Sequence, residues 1–140
     1  IEEEVIYNMP MTVYVFGNPD IKSDSVAITA AKYLSKSLPH INFKFIPPNA
    51  DVNFDSPQPI ILDTIEGIKK ITVLENLDQL VPPPRTSVHD FDLGFQLKYL
   101  KKIGHITGAT IIGLPMTKNI NYLRIQSIFR KLVAQDMQGS

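Results

Sequence analysis

The run Pro59-Ile60-Ile61-Leu62-Asp63 is apolar without interruption until its last residue. A strand with one wet face alternates apolar and polar side chains, so an unbroken run of this kind reads as a central strand buried on both faces, as in a parallel sheet. Upstream of it, Pro47 to Pro59 holds four prolines together with Asn and Asp. Proline removes an amide donor and clashes with the preceding turn, so this stretch is expected to be a long loop and not a helix. Downstream, Glu66-Gly67 reads as a turn and Ile71 to Leu74 as a fourth strand. The short separation predicts an antiparallel hairpin between the third and fourth strands.

The same reasoning extends outward in both directions. Ile41, Phe43 and Phe45 alternate with Asn42 and Lys44, which predicts a second strand over Ile41 to Ile46. Thr12 to Phe16 is a β-branched and aromatic run that ends at Gly17-Asn18-Pro19, a strong breaker, and reads as the first strand. Between these two strands Val26, Ala30, Leu34 and Leu38 recur every four residues with Ala27 and Ala31 beside them. That is one apolar helix face, with Ser23 as the expected N-cap, Asp24 in the first turn and Pro39 as the stop. After a rigid loop at Pro82-Pro83-Pro84, Val88 to Ile103 is predicted as a helix with Leu93, Leu97 and Leu100 on one face, Phe91 and Phe95 near it, and Gly104 as its C′ residue. Ala109 to Ile112 reads as a fifth strand ending at Gly113-Leu114-Pro115. Ile120 to Met137 reads as a last helix burying Tyr122, Ile125, Phe129, Leu132 and Val133. The order β-α-β-β-β-α-β-α predicts one α/β domain over residues 1–140, a three-layer α/β/α sandwich whose sheet is mostly parallel, roughly five-stranded, and contains one antiparallel strand.

Composition narrows the function. Lys+Arg and Asp+Glu each number 14, so the formal charge is zero, and an excess of cations to neutralise phosphates is missing. Neither a nucleic acid nor a membrane is therefore an expected partner. The chain has no cysteine, which excludes disulfides, thiolate metal sites and a thiol nucleophile. Ile1 to Glu4 is acidic and unlike a signal peptide, and no apolar run approaches ~18 residues, so the expected setting is the cytoplasm. A monomer is expected.

In open α/β sheets, sites form beyond the carboxyl ends of the strands. Asn18 and Asp24 follow the first strand, Asp63 ends the third, and His89 and Asp90 open the helix after the fourth. Each has an ordinary explanation. Asp24 suits a helix start, Asp63 suits a strand-ending turn, and His89 suits a helix start. Together, two carboxylates and an imidazole form a partial shell for a divalent metal, with positions left open for water or substrate. Asp90 or Asp92 is placed to orient the imidazole. His40 after Pro39 reads as solvated, and His105 has no obvious partner. Dinucleotide, P-loop and nucleophile-elbow motifs are absent. A receiver-like binding module would explain Asp63, but it also needs an acidic pair where this chain has Gly17-Asn18-Pro19.

Four blocks in order carry a family resemblance: Val15-Phe16-Gly17-Asn18-Pro19 leading to Asp24; Ile60-Ile61-Leu62-Asp63-Thr64-Ile65-Glu66-Gly67; Thr86-Ser87-Val88-His89-Asp90-Phe91-Asp92-Leu93; and Ile111-Ile112-Gly113-Leu114-Pro115. Over roughly residues 12 to 115 the chain resembles the hydrogenase maturation proteases. The resemblance implies an endopeptidase that removes the C-terminal extension of a nickel–iron hydrogenase large subunit after nickel insertion. Its partner would be the large-subunit precursor. Nickel would be carried by that substrate, with zinc or cadmium able to substitute. Asp24, Asp63 and His89 would contact the metal, and Asp24 or Asp63 would activate water. Two departures are visible. The family's Gly-Asp-Asp/Glu-Gly is Lys22-Ser23-Asp24-Ser25 here, and its Gly-Gly-Thr/Ser turn is Pro47-Pro48-Asn49-Ala50. They keep a second reading open, a non-catalytic relative that binds a metal-loaded partner as a maturation checkpoint or chaperone.

Overall fold

The computed structural model describes residues 10–17, 25–47, 50, 52–77, 88–117 and 119–139. Five strands are described, β1 (Met11–Phe16), β2 (Ile41–Ile46), β3 (Ile60–Thr64), β4 (Thr72–Leu74) and β5 (Thr110–Leu114), with three helices, α1 (Val26–Ser37), α2 (Val88–Lys102) and α3 (Tyr122–Gly139). They form one sheet in the order β2-β1-β3-β5-β4. β1 pairs in parallel with β2 and β3, β3 pairs in parallel with β5, and β4 alone runs antiparallel, against β5.

The expected β3–β4 hairpin does not form. β3 already has a parallel neighbour on each side, so β4 is displaced beyond β5 to the sheet's edge. The apolar run of β3 thus has the central place its composition calls for: Ile61 and Leu62 are fully buried on opposite faces. β2 lies at the other edge, where half of its apolar stripe suffices. Ile41 is buried, but Phe45 is exposed.

One face of the sheet is covered by α1 and α3. Ala27, Ala30, Ala31 and Leu34 of α1 pack with Ile125, Ile128 and Phe129 of α3 against Val13, Val15, Leu62 and Ile112. The small residues of α1 let that helix lie close to the strands. The other face is covered by α2, whose Leu93 and Leu97 meet Tyr14, Phe16, Ile61 and Ile111. Part of the proline-rich loop joins this second layer. Phe54 packs edge-on against the Tyr14 ring at 4.8 Å, and the Asp55 N–H donates to the Tyr14 hydroxyl at 3.0 Å.

Helix ends follow local chemistry where a local cap exists. Asn121 Oδ1 accepts the Arg124 N–H at the start of α3. α2 ends in a Schellman motif: Gly104 N–H donates to Lys101 C=O, His105 N–H donates to Leu100 C=O, and Gly104 sits at φ +84°. α1 departs from its expected start. Ser25, not Ser23, is its N-cap, and the Ser25 side chain makes no capping bond.

The connections fix the place where a site is expected. From β1 the chain passes over one face, through α1, to β2. From β3 it passes through β4 and, over the other face, through α2 to β5. The strand order reverses between β1 and β3, and a crevice at the carboxyl ends of these two strands is where open α/β sheets bind ligands.

Candidate functional site

β3 delivers Asp63 to this switch point. Side chains alternate along a strand, and Ile61 joins the α2 layer while Leu62 joins the α1 layer. Asp63 therefore leaves the sheet on the α2 side and Thr64 on the α1 side. Asp63 is only 2% exposed and Thr64 is fully buried. Burial of an ionisable side chain is costly unless it is hydrogen-bonded. Asp63 Oδ1 accepts the Thr64 N–H at 2.8 Å. Asp63 lies within β3, opposite Gly113 of β5, and the strand runs one residue further than the sequence reading placed its end.

A close approach shapes the same corner. A side chain on Gly113 would run into Ile65, just past the end of β3. Ile65 is held there by its N–H, which donates to Leu114 C=O at 2.9 Å. Glycine at 113 thus gives Ile65 room to fold back over the strand end beside Asp63.

Thr64 is the residue that local sequence rules miss. Its Oγ1 accepts the Ala27 N–H at 3.1 Å, a buried bond between positions 37 residues apart. The first turn of α1 has unpaired N–H groups, and here the cap comes from the neighbouring strand end instead of from the N-cap side chain. The available signal was a small hydroxyl residue directly after a strand-ending acid.

Of the expected shell, Asp63 is the member whose side chain is described. Asp24 lies outside the described residues, one position before the α1 N-cap Ser25. His89 is in the first turn of α2, and its side chain, like those of Asp90 and Asp92, lies outside the described residues. α2 is ~22 Å long at 1.5 Å per residue and ends where the chain turns into β5, so its first turn points toward the carboxyl end of the sheet. Asn18 is also outside the described residues. Among the described residues no three His, Asp or Glu side chains are grouped to hold a metal ion. No described helix is long and apolar enough to cross a membrane.

The opposite end of the sheet looks different. His40 is half-buried, partly in solvent as expected. Its Nδ1 is buried with no hydrogen-bond partner among the described residues. Burial, reinforced by the Arg130 charge, holds its pKa below the ordinary histidine value. Two surface hollows also open at this end. One of about 310 Å³ lies between Gln58, Glu75, Lys101 and Thr107, and one of about 260 Å³ between Asn53, Phe54 and His105. His105 therefore lies far from the strand ends that carry Asp63.

No protein-family model matches this chain, and no curated protein matches it. An uncharacterized protein from Wolinella succinogenes, known from its crystal structure, is similar in fold. The likeness covers 94% of this chain and 96% of that one, with a TM-score of 0.51 and 13% identity. At that identity the shared property is the three-layer α/β architecture.

Proposed function

We propose that this protein is a hydrogenase maturation endopeptidase, removing the C-terminal extension of a nickel–iron hydrogenase large subunit once nickel is in place. The observation that carries the reading is Asp63, a carboxylate almost wholly removed from solvent at the carboxyl end of the central strand, beside the reversal of strand order. The four ordered sequence blocks add to it, since each ends or begins an element at that side of the sheet.

In this reading Asp24, Asp63 and His89 approach the substrate's nickel, and the precursor's scissile bond lies next to it. Asp63 or Asp24 takes a proton from a water molecule. The water oxygen bonds to the scissile carbonyl carbon, the C–N bond breaks, and the released amine receives the proton. The metal that polarises the site comes with the substrate.

The experiment is incubation of the purified protein with nickel-loaded large-subunit precursor, followed by mass spectrometry. Release of one C-terminal peptide from the loaded precursor and none from the nickel-free precursor is expected. Tight binding of the loaded precursor without cleavage would favour the second reading, a checkpoint or chaperone. The missing glycines around Asp24 and the prolines at Pro47-Pro48 are the observations behind that alternative.

A further inference from the structure

We infer that the hollow of about 310 Å³ between the end of β4, the last turn of α2 and the start of β5 is a binding site for a small zwitterion, a free aliphatic α-amino acid, with Glu75 taking its ammonium group and Lys101 its carboxylate. The hollow lies at the amino end of the sheet, away from Asp63, and does not depend on the function proposed above.

Two layers of the fold meet at this hollow. β4 runs antiparallel to β5 with Leu74 opposite Ile111, so Glu75, the next residue, continues the sheet edge toward Thr110. Lys101 comes from the helix layer, in the last turn of α2. The backbone around them is fixed by bonds between distant segments. Thr107 donates to Pro57 C=O twice, from its N–H at 2.7 Å and from its hydroxyl at 3.3 Å. Thr110 N–H donates to Pro59 C=O at 3.0 Å. The Schellman motif at Gly104 holds the end of α2, and the Lys101 C=O is one of its acceptors. A hollow built in this way exists before a ligand arrives, so little ordering opposes binding.

The lining selects the ligand. Leu77 and Ala109 are buried and supply an apolar floor, whereas Glu75, Lys101 and Gln58 are exposed and supply a polar rim. An apolar floor under a few convergent polar groups is the usual make-up of a small-molecule site, and this volume is at the small end of the ~300–1,000 Å³ range of such sites. The two rim charges have opposite signs, and neither side chain has an ion-pair or hydrogen-bond partner among the described residues. A ligand that uses both must carry an ammonium and a carboxylate. A phosphate would meet Glu75 as a like charge, and a simple amine would meet Lys101 as one. Hydrogen bonds to a carboxylate and to an ammonium are the strong, charge-assisted kind. The Gln58 amide and the Thr110 hydroxyl both donate and accept, so either charged group of the ligand finds a further partner there. An aliphatic side chain then lies on the floor of Leu77 and Ala109.

The test is a titration of the isotope-labelled protein with L-valine, isobutylamine and isovalerate, followed by NMR through the Gly108 and Thr110 amides. The three compounds share a carbon skeleton and carry both charges, the ammonium alone and the carboxylate alone. Valine should shift both amides saturably, and each analogue should bind ~10-fold more weakly or worse, as for the loss of one hydrogen bond to a charged group. Glu75→Gln should abolish the preference for valine over isovalerate, and Lys101→Met the preference over isobutylamine. Both side chains are exposed, so the variants should fold as the wild type does. The absence of a saturable shift with valine would overturn the assignment. So would equal midpoints for the three compounds, or wild-type valine binding in both variants.

Discussion

The two ends of the sheet solve the same problem in opposite ways. At the carboxyl end, buried polar groups are joined to one another and to backbone: Asp63 to Thr64, and Thr64 to the start of α1. At the amino end, the buried Nδ1 of His40 has no partner among the described residues. Each end also has a glycine with a structural task. Gly113 makes room for Ile65 beside the acid, while Gly104 takes a positive φ to end α2. A buried polar network costs ordering and desolvation and is retained where geometry must be held. An enclosed imidazole nitrogen without a partner costs stability. The carboxyl end thus holds a tied polar group, and the amino end an enclosed nitrogen without a partner among the described residues.

Substitutions at the two ends should therefore separate activity from stability. The largest effect is expected for Asp63→Asn, which keeps an acceptor for the Thr64 N–H and removes the charge. Precursor processing should drop by ~10²-fold or more, as for loss of a proton-transferring group. The melting temperature should stay the same or rise, because the amide keeps the acceptor and removes the cost of burying a charge. Full processing by this variant would remove Asp63 from the chemistry, and a large fall in melting temperature would reduce it to a structural acid.

Next in size is Gly113→Ala. The added Cβ collides with Ile65, and overpacking of this kind costs about 1–3 kcal/mol. Thermal unfolding should show the loss, and adding Ile65→Val should recover part of it. Gly108→Ala at the amino end is the control, since a Cβ there meets nothing within 4 Å and should leave stability unchanged. Equal melting temperatures for Gly113→Ala and wild type would show that the corner is looser than the close approach requires.

Gly104→Ala should cost about 1 kcal/mol, the penalty of a left-handed conformation for a residue with a Cβ. Denaturant midpoints measure it, and processing should not change, because the substitution lies away from the strand ends that carry Asp63.

The smallest effect is the acid sensitivity of His40. Its folded pKa lies below the ordinary value of 6.5, so the unfolded chain takes up the proton first as pH falls. This contribution to stability is complete above that value and is lost progressively below it. His40→Leu, with no nitrogen to protonate, should show a flatter dependence of melting temperature on pH between about 7 and 5. Parallel curves for the two proteins would mean that His40 finds a partner in solution.

Much of this was legible in the residues. The unbroken run at Ile60 to Leu62 identified a central strand, the spacing of Ala27, Ala30, Ala31 and Leu34 identified the buried face of α1, and Gly104 identified the end of α2. Those signals are local, set by side-chain period and by backbone conformation. The pairing of β4 was not legible. Closeness in sequence favoured β3, but β5, which arrives much later in the chain, competes for the same edge and wins with a longer parallel ladder. Thr64 was missed for a related reason, since capping rules look for an oxygen within one turn of the helix start and this one comes from a strand. His40 is half-buried, partly wet as a histidine after a proline at a helix end usually is, and only the packed structure shows its Nδ1 enclosed. Asp63 was found because an apolar strand ending in an acid places that acid at a switch point. The convergence of Asp24 and His89 on it remains a reading of the sequence.

That convergence is tested most directly by a crystal structure of the protein soaked in zinc. A single ion bound to the Asp63 carboxylate, with oxygen distances of about 2.0–2.2 Å, and sharing Asp24 and the His89 imidazole, is the expected result. An Asp63 carboxylate without metal, with the His89 ring on the far side of the domain, would contradict it.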